Sequence, residues 1–242
     1  MNLLYLLALA LAPGTAIGIY IYLKDHHERE PLSLLLISFL YGGLSTIVTL
    51  FISYPVNAFL LTKPDDVMSQ FINAFFKVAL VEEFSKFLFV RFILFRNRNF
   101  NEPFDGIVYA LMVSMGFATL ENVLYVFQYG FVTGIIRMFT AVPAHAVFGI
   151  VMGYYLGLAK FSAARRIVYS LMALLAATVF HGAYDYFLFI AEIKGVYTGV
   201  WIGSIVSLVI GFVLSRKAIR MHQGVSPFRS LADRKQNDLL EK

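Results

Sequence analysis

Seven long runs of apolar residues follow one another along the chain, and short polar stretches separate them. The runs occupy about residues 2–23, 32–61, 71–95, 105–127, 137–159, 167–190 and 198–215. Each is close to or above the roughly 20 residues that a helix needs to cross the hydrocarbon core of a bilayer. The pattern therefore predicts an all-α, polytopic membrane bundle of about seven transmembrane helices.

The composition agrees with a location in the lipid bilayer. Hydrophobic residues make up 59% of the chain and charged residues only 14%. The connectors between the runs are too short for a soluble catalytic domain, so any chemistry must occur within the helix bundle. The chain has no cysteine, which excludes thiol nucleophiles and thiolate metal sites. We expect one transmembrane helical domain over residues 1–215 and a basic cytoplasmic tail over residues 216–242.

Basic residues are distributed unevenly between the connectors. Most of the 20 Lys and Arg residues lie in alternate connectors, 24–31, 96–104 and 160–166, and in the tail. The positive-inside rule assigns these segments to the cytoplasm, so we expect the amino terminus outside and the carboxyl terminus inside. Membrane topology and anionic lipid are sufficient to explain the net charge of +5, and we expect no nucleic-acid partner.

Polar and charged side chains, which are energetically unfavourable inside a bilayer, recur at one depth on four of the predicted helices. A rise of about 1.5 Å per residue places them between the membrane midplane and the extracytoplasmic face. Charged groups inside a membrane usually face one interior cavity, because isolated charges in lipid are expensive. We therefore expect one site that contains Glu82, Glu83, Lys86, Glu121, Asn122, His145, His181 and Asp185.

The local spacing of these residues supports a shared site. Glu82, Glu83 and Lys86 fall within an arc of roughly 100° on an ideal helix, so Lys86 can neutralise one of the two carboxylates. His181 and Asp185 lie one turn apart, and a carboxylate at that distance can orient an imidazole. The sequence thus predicts a base, an acid and oriented imidazoles in one layer.

Each group also has a purely structural interpretation. The two glutamates and Lys86 could form an internal ion pair that fixes helix register. Asn122 could bond to a neighbouring helix. Lys77 lies nearly opposite Lys86 on an ideal helix, so we expect it to extend to the membrane surface. We expect His222 to be solvated.

Four separate stretches resemble motifs of the PrsW family of bacterial intramembrane proteases, and they occur in the family order. These stretches are VEEFSK at 81–86, FNEPFDGIVY at 100–109, GFATLENVLY at 116–125 and FHGAYD at 180–185. The similarity covers about residues 10–215. The chain is more distantly similar to the CAAX prenyl endopeptidases and to bacteriocin-processing membrane proteases.

The resemblance implies a multi-pass hydrolase of the bacterial cytoplasmic membrane. It implies site-1 cleavage of a single-span anti-sigma factor on the extracytoplasmic side. This cut would begin regulated intramembrane proteolysis and free a sigma factor, as in signal transduction during a stress response. The expected partners are therefore the membrane substrate and the lipid bilayer.

Two mechanisms for peptide hydrolysis remain open at this point. In the metal-free form, Glu82 or Glu83 activates water, and His145 and His181 bind the oxyanion or deliver the proton. Asn122 and Asp185 would orient these groups, and Glu121 would complete the polar cage. In the metal-dependent form, His145, His181 and Glu83 bind zinc. The sequence lacks an HExxH motif and does not decide between the two forms, of which we slightly favour the metal-free one.

Two other classes of function compete with the protease. A proton-coupled carrier would use the same ionisable residues as a relay, although no inverted repeat is evident in the sequence. A non-catalytic scaffold is also possible, because a distantly similar subunit of gamma-secretase uses this fold class without known proteolytic activity. The glutamate pair together with both histidines favours the enzyme.

Overall fold

The computed structural model describes residues 3–25 and 27–229, and this part of the chain is all helix and connecting turns. A π-helical turn, Asn73–Ala79, joins α3 directly to α4. Short 3-10 turns occupy Leu94–Arg96 and Thr198–Trp201. The α-helices are α1 (Leu3–Lys24), α2 (Leu32–Phe59), α3 (Val67–Ile72), α4 (Leu80–Phe92), α5 (Pro103–Tyr129), α6 (Phe131–Phe139), α7 (Ala141–Phe161), α8 (Arg166–Ala191) and α9 (Ile202–Gly224).

Six helical stretches of the described chain are long and apolar enough to cross a membrane. They comprise α1, α2, α5, the combined stretch of α6 and α7, α8, and α9 with its preceding 3-10 turn. The prediction of an all-α polytopic membrane protein is confirmed. The number of crossings and their orientation stay predictions.

The predicted third span differs most from the structure. The apolar run 71–95 is divided among α3, the π-helical turn and α4. Lys77, Glu82, Glu83 and Lys86 lie close together in this run, so it is less apolar than the six candidate spans. It packs against α2 and α8 inside the bundle.

The helical domain also ends later in the structure than the sequence predicted. Helix α9 continues to Gly224, beyond the predicted end at residue 215. Residues 230–242 of the predicted basic tail lie outside the described residues. His222, which we expected to be solvated, is buried and stacks on Tyr154 at 4.5 Å between ring centroids. Its side chain lies on the face of α9 that packs against the bundle.

Helix α5 lies at the centre of the bundle and packs against α1, α2 and α7. Glycine permits the closest of these approaches. A Cβ atom on Gly42 of α2 would collide with the carbonyl oxygen of Val113, and one on Gly153 of α7 would collide with that of Gly106. Such contacts follow the small-residue packing of membrane helices, in which backbones meet without intervening side chains. They fix the spacing between α5 and the two helices on either side of it.

The π-helical turn changes the phase of the helix that leads to the glutamate pair. The amide of Leu80 donates to the carbonyl oxygen of Phe75, five residues earlier, instead of four. The Phe75 ring lies over Gly182 of α8, where a Cβ atom would come within 2.6 Å of it. A π turn holds more residues than an α turn. The angle around the helix axis between Lys77 and Glu82 therefore differs from the value that 100° per residue would give. π turns inside helices are frequent at functional sites.

An acidic cluster lies at the opposite, predicted cytoplasmic end of the bundle. Asp25 and Glu30 flank the α1–α2 connector, and Glu102 precedes α5; all three are buried. Asp105 caps α5 by accepting from the backbone amides of Asn101 and Glu102, both at 2.8 Å. Burial, reinforced by neighbouring carboxylates, raises the pKa of Asp25 and of Glu30 to about 7.

Candidate active site

Glu83 lies at the centre of the polar layer and is completely buried. Its Oε1 atom accepts from Lys86 Nζ at 2.7 Å and from His181 Nδ1 at 2.9 Å. Lys86 Nζ also lies 3.7 Å from Glu82 Oε2. The lysine therefore balances the glutamate pair, as the spacing predicted, and Glu83 joins α4 to α8. A buried carboxylate needs partners of this kind to be tolerated at this depth.

Both ring nitrogens of His145 on α7 have a polar neighbour. Lys86 Nζ lies 3.2 Å from His145 Nδ1, and Glu121 Oε2 lies 3.0 Å from His145 Nε2. The hydroxyl of Ser114 donates to the backbone carbonyl of His145 at 2.6 Å, which fixes α7 against α5.

Arg137 on α6 is a site residue that the sequence interpretation missed. Its Nη2 donates to Glu121 Oε2 at 2.6 Å, and its Nε donates to Asn122 Oδ1 at 3.1 Å. Asn122 in turn donates to the carbonyl oxygen of Ala10 on α1 at 3.3 Å. A lone arginine at the start of an apolar run could have been a signal, because such a charge tends to face a polar interior.

A cavity of about 400 Å³ opens on one side of this layer. Glu82 and Glu121 line it, as do His145, His181 and Asp185. The remaining members of the predicted set, Glu83, Lys86 and Asn122, lie behind the cavity wall and are fully or almost fully buried. The structure thus brings together all eight predicted residues and divides them between the cavity lining and its support.

His181 connects the supporting layer to the cavity. Its Nδ1 atom faces Glu83, and its Nε2 atom lies 3.2 Å from Asp185 Oδ2 and 3.9 Å from Glu82 Oε2. The ring stacks on Phe148 with 4.6 Å between centroids, so its plane is fixed from one side. The one-turn spacing of His181 and Asp185 produces the contact that the sequence predicted.

Glu82, His145 and His181 have the arrangement of a potential metal site. Each offers one ligand atom, and these atoms lie within 4.8 Å of one another. Two imidazole nitrogens and a carboxylate oxygen are typical ligands of catalytic zinc. Our sequence-based ligand set contained Glu83, but Glu83 Oε1 is already bonded to Lys86 and His181, whereas Glu82 faces the cavity. A carboxylate bonded to the second nitrogen of a ligating histidine is the usual supporting arrangement at such sites.

Comparison with known proteins agrees with this geometry. A model of the PrsW family of intramembrane metalloproteases matches residues 30–214, which include every residue of the polar layer. The chain belongs to the PrsW family. It is therefore an intramembrane peptidase and a multi-pass protein of the bacterial cytoplasmic membrane.

Several proteins named Protease PrsW are similar to this chain over most of its length. The one from Geobacillus kaustophilus is 39% identical over 227 residues, which cover 94% of this chain and 99% of that protein. The one from Oceanobacillus iheyensis is 38% identical and covers 77% of this chain and 84% of that protein. The one from Bacillus subtilis is 35% identical and covers 76% of this chain and 82% of that protein. No solved structure matches this PrsW chain.

Proposed function

We propose that this protein is a site-1 endopeptidase that cuts a single-span anti-sigma factor on its extracytoplasmic side. The observation that carries this proposal is the convergence of Glu82, His145 and His181 on one cavity inside the helix bundle. Two histidines and a carboxylate beside a cavity form a constellation suited to hydrolysis, and the family is one of proteases. The anti-sigma factor as substrate rests on the family resemblance of the sequence.

The position of the cavity restricts the form of the substrate. It lies among membrane helices, so a scissile bond can reach Glu82 only as part of a segment within or beside the bilayer. Our expected orientation puts the cavity between the midplane and the extracytoplasmic face. A single-span protein cut there loses its outer part, and its cytoplasmic part remains in the membrane for a second protease. This order of events would lead to release of the sigma factor.

The donor set fits a divalent metal ion, as the family description implies. Glu82, His145 and His181 would hold it, and zinc is the best match to two imidazoles and a carboxylate. When bound, the ion supplies Lewis-acid chemistry, which polarises a carbonyl group and lowers the pKa of a bound water. Glu83 orients His181 through the Nδ1 contact, and Lys86 balances the charge of Glu83.

Peptide hydrolysis also needs a base for the attacking water and a proton donor for the leaving amine. Glu121 is suited to both roles, because its carboxylate lines the cavity and is held by Arg137. We assign to Glu121 the transfer of a proton from water to the leaving nitrogen. In the metal-free alternative, Asp185 orients His181 from the cavity side, and the base is Glu82.

Cleavage of a single-span anti-sigma factor in liposomes that contain the purified protein tests this function. The variants are Glu82→Gln, Glu121→Gln and His181→Ala, each assayed with and without a zinc chelator. Asp65→Asn in an exposed connector is the matched acidic control, and His27→Ala is the matched histidine control. Metal content is measured on the same samples, because it reports the ligand set independently of activity.

We expect the wild type and both controls to cut, and we expect all three site variants to lose at least about 100-fold in rate. Glu82→Gln and His181→Ala should also lose bound metal, whereas Glu121→Gln should retain it. Full activity after removal of all metal would refute the metal-dependent mechanism and support the metal-free one, in which Glu82 is the base. If folded wild type cuts no anti-sigma factor, a proton-gradient uptake assay and a search for a stable complex separate the carrier from the scaffold.

A further inference from the structure

A second cavity continues the active-site cavity toward the predicted extracytoplasmic side. Its volume is about 350 Å³, and it shares Glu82, Val78, Phe189 and Glu192 with the first. The two cavities therefore form one groove that passes Glu82. Apart from these shared residues, the lining of the second cavity is entirely polar and comes from α2, α3 and the π-helical turn: Ser53, Asn57, Gln70, Asn73 and Lys77.

Hydrogen bonds hold the outer wall of this groove in place. Lys77 Nζ donates to Thr62 Oγ1 at 3.1 Å, and Thr62 donates to Asn73 Oδ1 at 2.8 Å. Asn73 donates to Gln70 Oε1 at 3.1 Å, and Gln70 donates to the carbonyl oxygen of Pro64. The chain of bonds ties the α2–α3 connector to the π-helical turn. It holds the ammonium group of Lys77 in position without neutralising its charge.

Lys77 is the basic group of this second cavity. Within the described residues, the ion pairs shorter than 4.0 Å involve Lys86, Arg137, His145 and His181, and none includes Lys77. An ammonium group has three donors, and one contact to Thr62 leaves capacity for a ligand. Glu192 lies on the α8 side of the same groove. Lys77 thus presents a charge to whatever occupies the groove.

The chemistry of this wall fits an extended polypeptide. A membrane segment must unwind before its peptide bond can be cut, and its freed backbone groups then need hydrogen-bond partners. The side-chain amides of Asn57 and Gln70 can both donate and accept, so they suit backbone N–H and C=O groups. A groove for a lipid chain would instead be lined by apolar side chains.

We propose that Lys77 determines substrate specificity by binding an aspartate or glutamate side chain of the substrate. This inference rests on the proposed endopeptidase function. Lys77 precedes Glu82 by five helical positions, a distance of about 7.5 Å along the helix axis at a rise of about 1.5 Å per residue. An extended chain covers that distance in about two to three residues. The acidic residue should therefore lie about two to three positions from the scissile bond, on its extracytoplasmic side.

A scan of one acidic residue along the substrate tests this proposal. An aspartate is placed in turn at each of the first five positions outside the scissile bond, and the matching asparagine substrate is the reference. The quantity measured is the ratio of kcat/KM for the aspartate and asparagine substrates. We expect wild type to favour aspartate about 10-fold at one position, mainly through KM, because a desolvated ion pair is worth about one factor of ten.

Charge reversal at Lys77 provides the decisive comparison. Lys77→Glu should reverse the ratio at the same position and should favour a lysine substrate there, while Lys77→Met should abolish the preference. Lys63→Glu makes the same charge change in an exposed connector and should keep the wild-type ratio. If wild type instead prefers a basic residue at this position, Glu192 binds the substrate side chain, and the proposal is overturned. A preference that survives Lys77→Glu would overturn it as well.

Cross-linking separates a failure of this proposal from a failure of the proposed function. The inactive Glu82→Gln variant carries a benzoylphenylalanine at position 57, in the outer wall of the groove. We expect the aspartate substrate to cross-link several-fold more than its asparagine counterpart, and Lys77→Met to remove the difference. Equal cross-linking of both substrates overturns the role of Lys77 even if the enzyme cuts them. Selective cross-linking without cleavage by wild type would instead refute the proposed function alone.

Discussion

His181 Nδ1 lies 2.9 Å from Glu83 Oε1, and this contact turns the other nitrogen of the ring toward the cavity. Glu83 itself has no exposed surface, so it acts on the reaction through His181 and Lys86. The two adjacent glutamates thus have different tasks. Glu82 faces the cavity, and Glu83 positions a residue that faces it.

Glu83→Gln tests the positioning role of that contact. A neutral amide removes the counter-charge of Lys86 and weakens the support of His181, so metal affinity should fall about 10- to 100-fold. Metal titration of the purified protein measures this change, and added metal should restore part of the activity. Glu82→Gln should lose activity that added metal does not restore. Identical behaviour of the two variants would contradict the division of roles.

Arg137→Gln tests the residue that was missed from the sequence. Loss of the guanidinium leaves Glu121 without its 2.6 Å partner, and we expect kcat to fall about 10- to 100-fold with little change in KM. Arg137→Lys should recover only part of the rate, because an ammonium group cannot reproduce the simultaneous contacts to Glu121 and Asn122. Arg165→Gln, in the exposed connector between α7 and α8, is the control. A wild-type rate in Arg137→Gln would exclude this role.

Two neighbouring glycines on α2 provide a matched test of helix packing. An alanine at Gly42 would collide with the backbone of Val113 and Phe117, so Gly42→Ala should destabilise the protein by about 3 kcal/mol. An alanine at Gly43 would meet only Leu120, at 4.0 Å, so Gly43→Ala should be neutral or slightly stabilising. Thermal unfolding in one detergent compares the two. Equal losses would show that the backbones of α2 and α5 do not meet at Gly42.

The buried acidic cluster predicts how stability depends on pH. The pKa values of Asp25 and Glu30 are raised to about 7 in the folded protein, so the folded state binds more protons than the unfolded state above about pH 4. The contribution of these groups to stability should therefore be greatest at low pH and should decline as the pH rises through about 7. Unfolding temperatures between about pH 5 and about pH 8 measure the trend.

Asp25→Asn isolates one member of that cluster. The amide has no charge to desolvate, so the variant should unfold at a higher temperature than wild type near pH 8, and its stability should depend less on pH. Asp65→Asn, at an exposed position, should follow the wild-type curve. A wild-type stability that increases from pH 5 to pH 8 would contradict the raised pKa values of Asp25 and Glu30.

Hydrophobic patterning was sufficient to predict most of the fold. Length and apolarity identify six candidate spans, and the cost of charge in lipid explains why the eight predicted polar residues share one layer. Periodicity could not reveal the π-helical turn, because a shift of one position in the backbone hydrogen bonds leaves the run of apolar residues unbroken. The expectation that Lys77 points away from the site assumed an ideal α-helix, and the structure places Lys77 in a groove with Glu82.

Contacts between distant segments account for the other differences. Arg137 reaches Glu121 because α6 folds back against α5, and no local spacing encodes that approach. The different surroundings of Glu82 and Glu83 likewise follow from the position of α8, which covers one carboxylate and leaves the other at the cavity. Sequence spacing identified the pair, and three-dimensional packing distinguishes its members.

The π-helical turn also has an evolutionary consequence. Such a turn is equivalent to one residue inserted into an α-helix, so a single-residue deletion between Asn73 and Ala79 would restore regular α-helical geometry. The outer wall of the groove would then rotate by about 100° relative to Glu82 while the catalytic layer stayed in place. Lys77 would no longer face the bound chain. A one-codon change at this point could therefore give descendants of this enzyme a different set of substrates without altering the residues that perform hydrolysis.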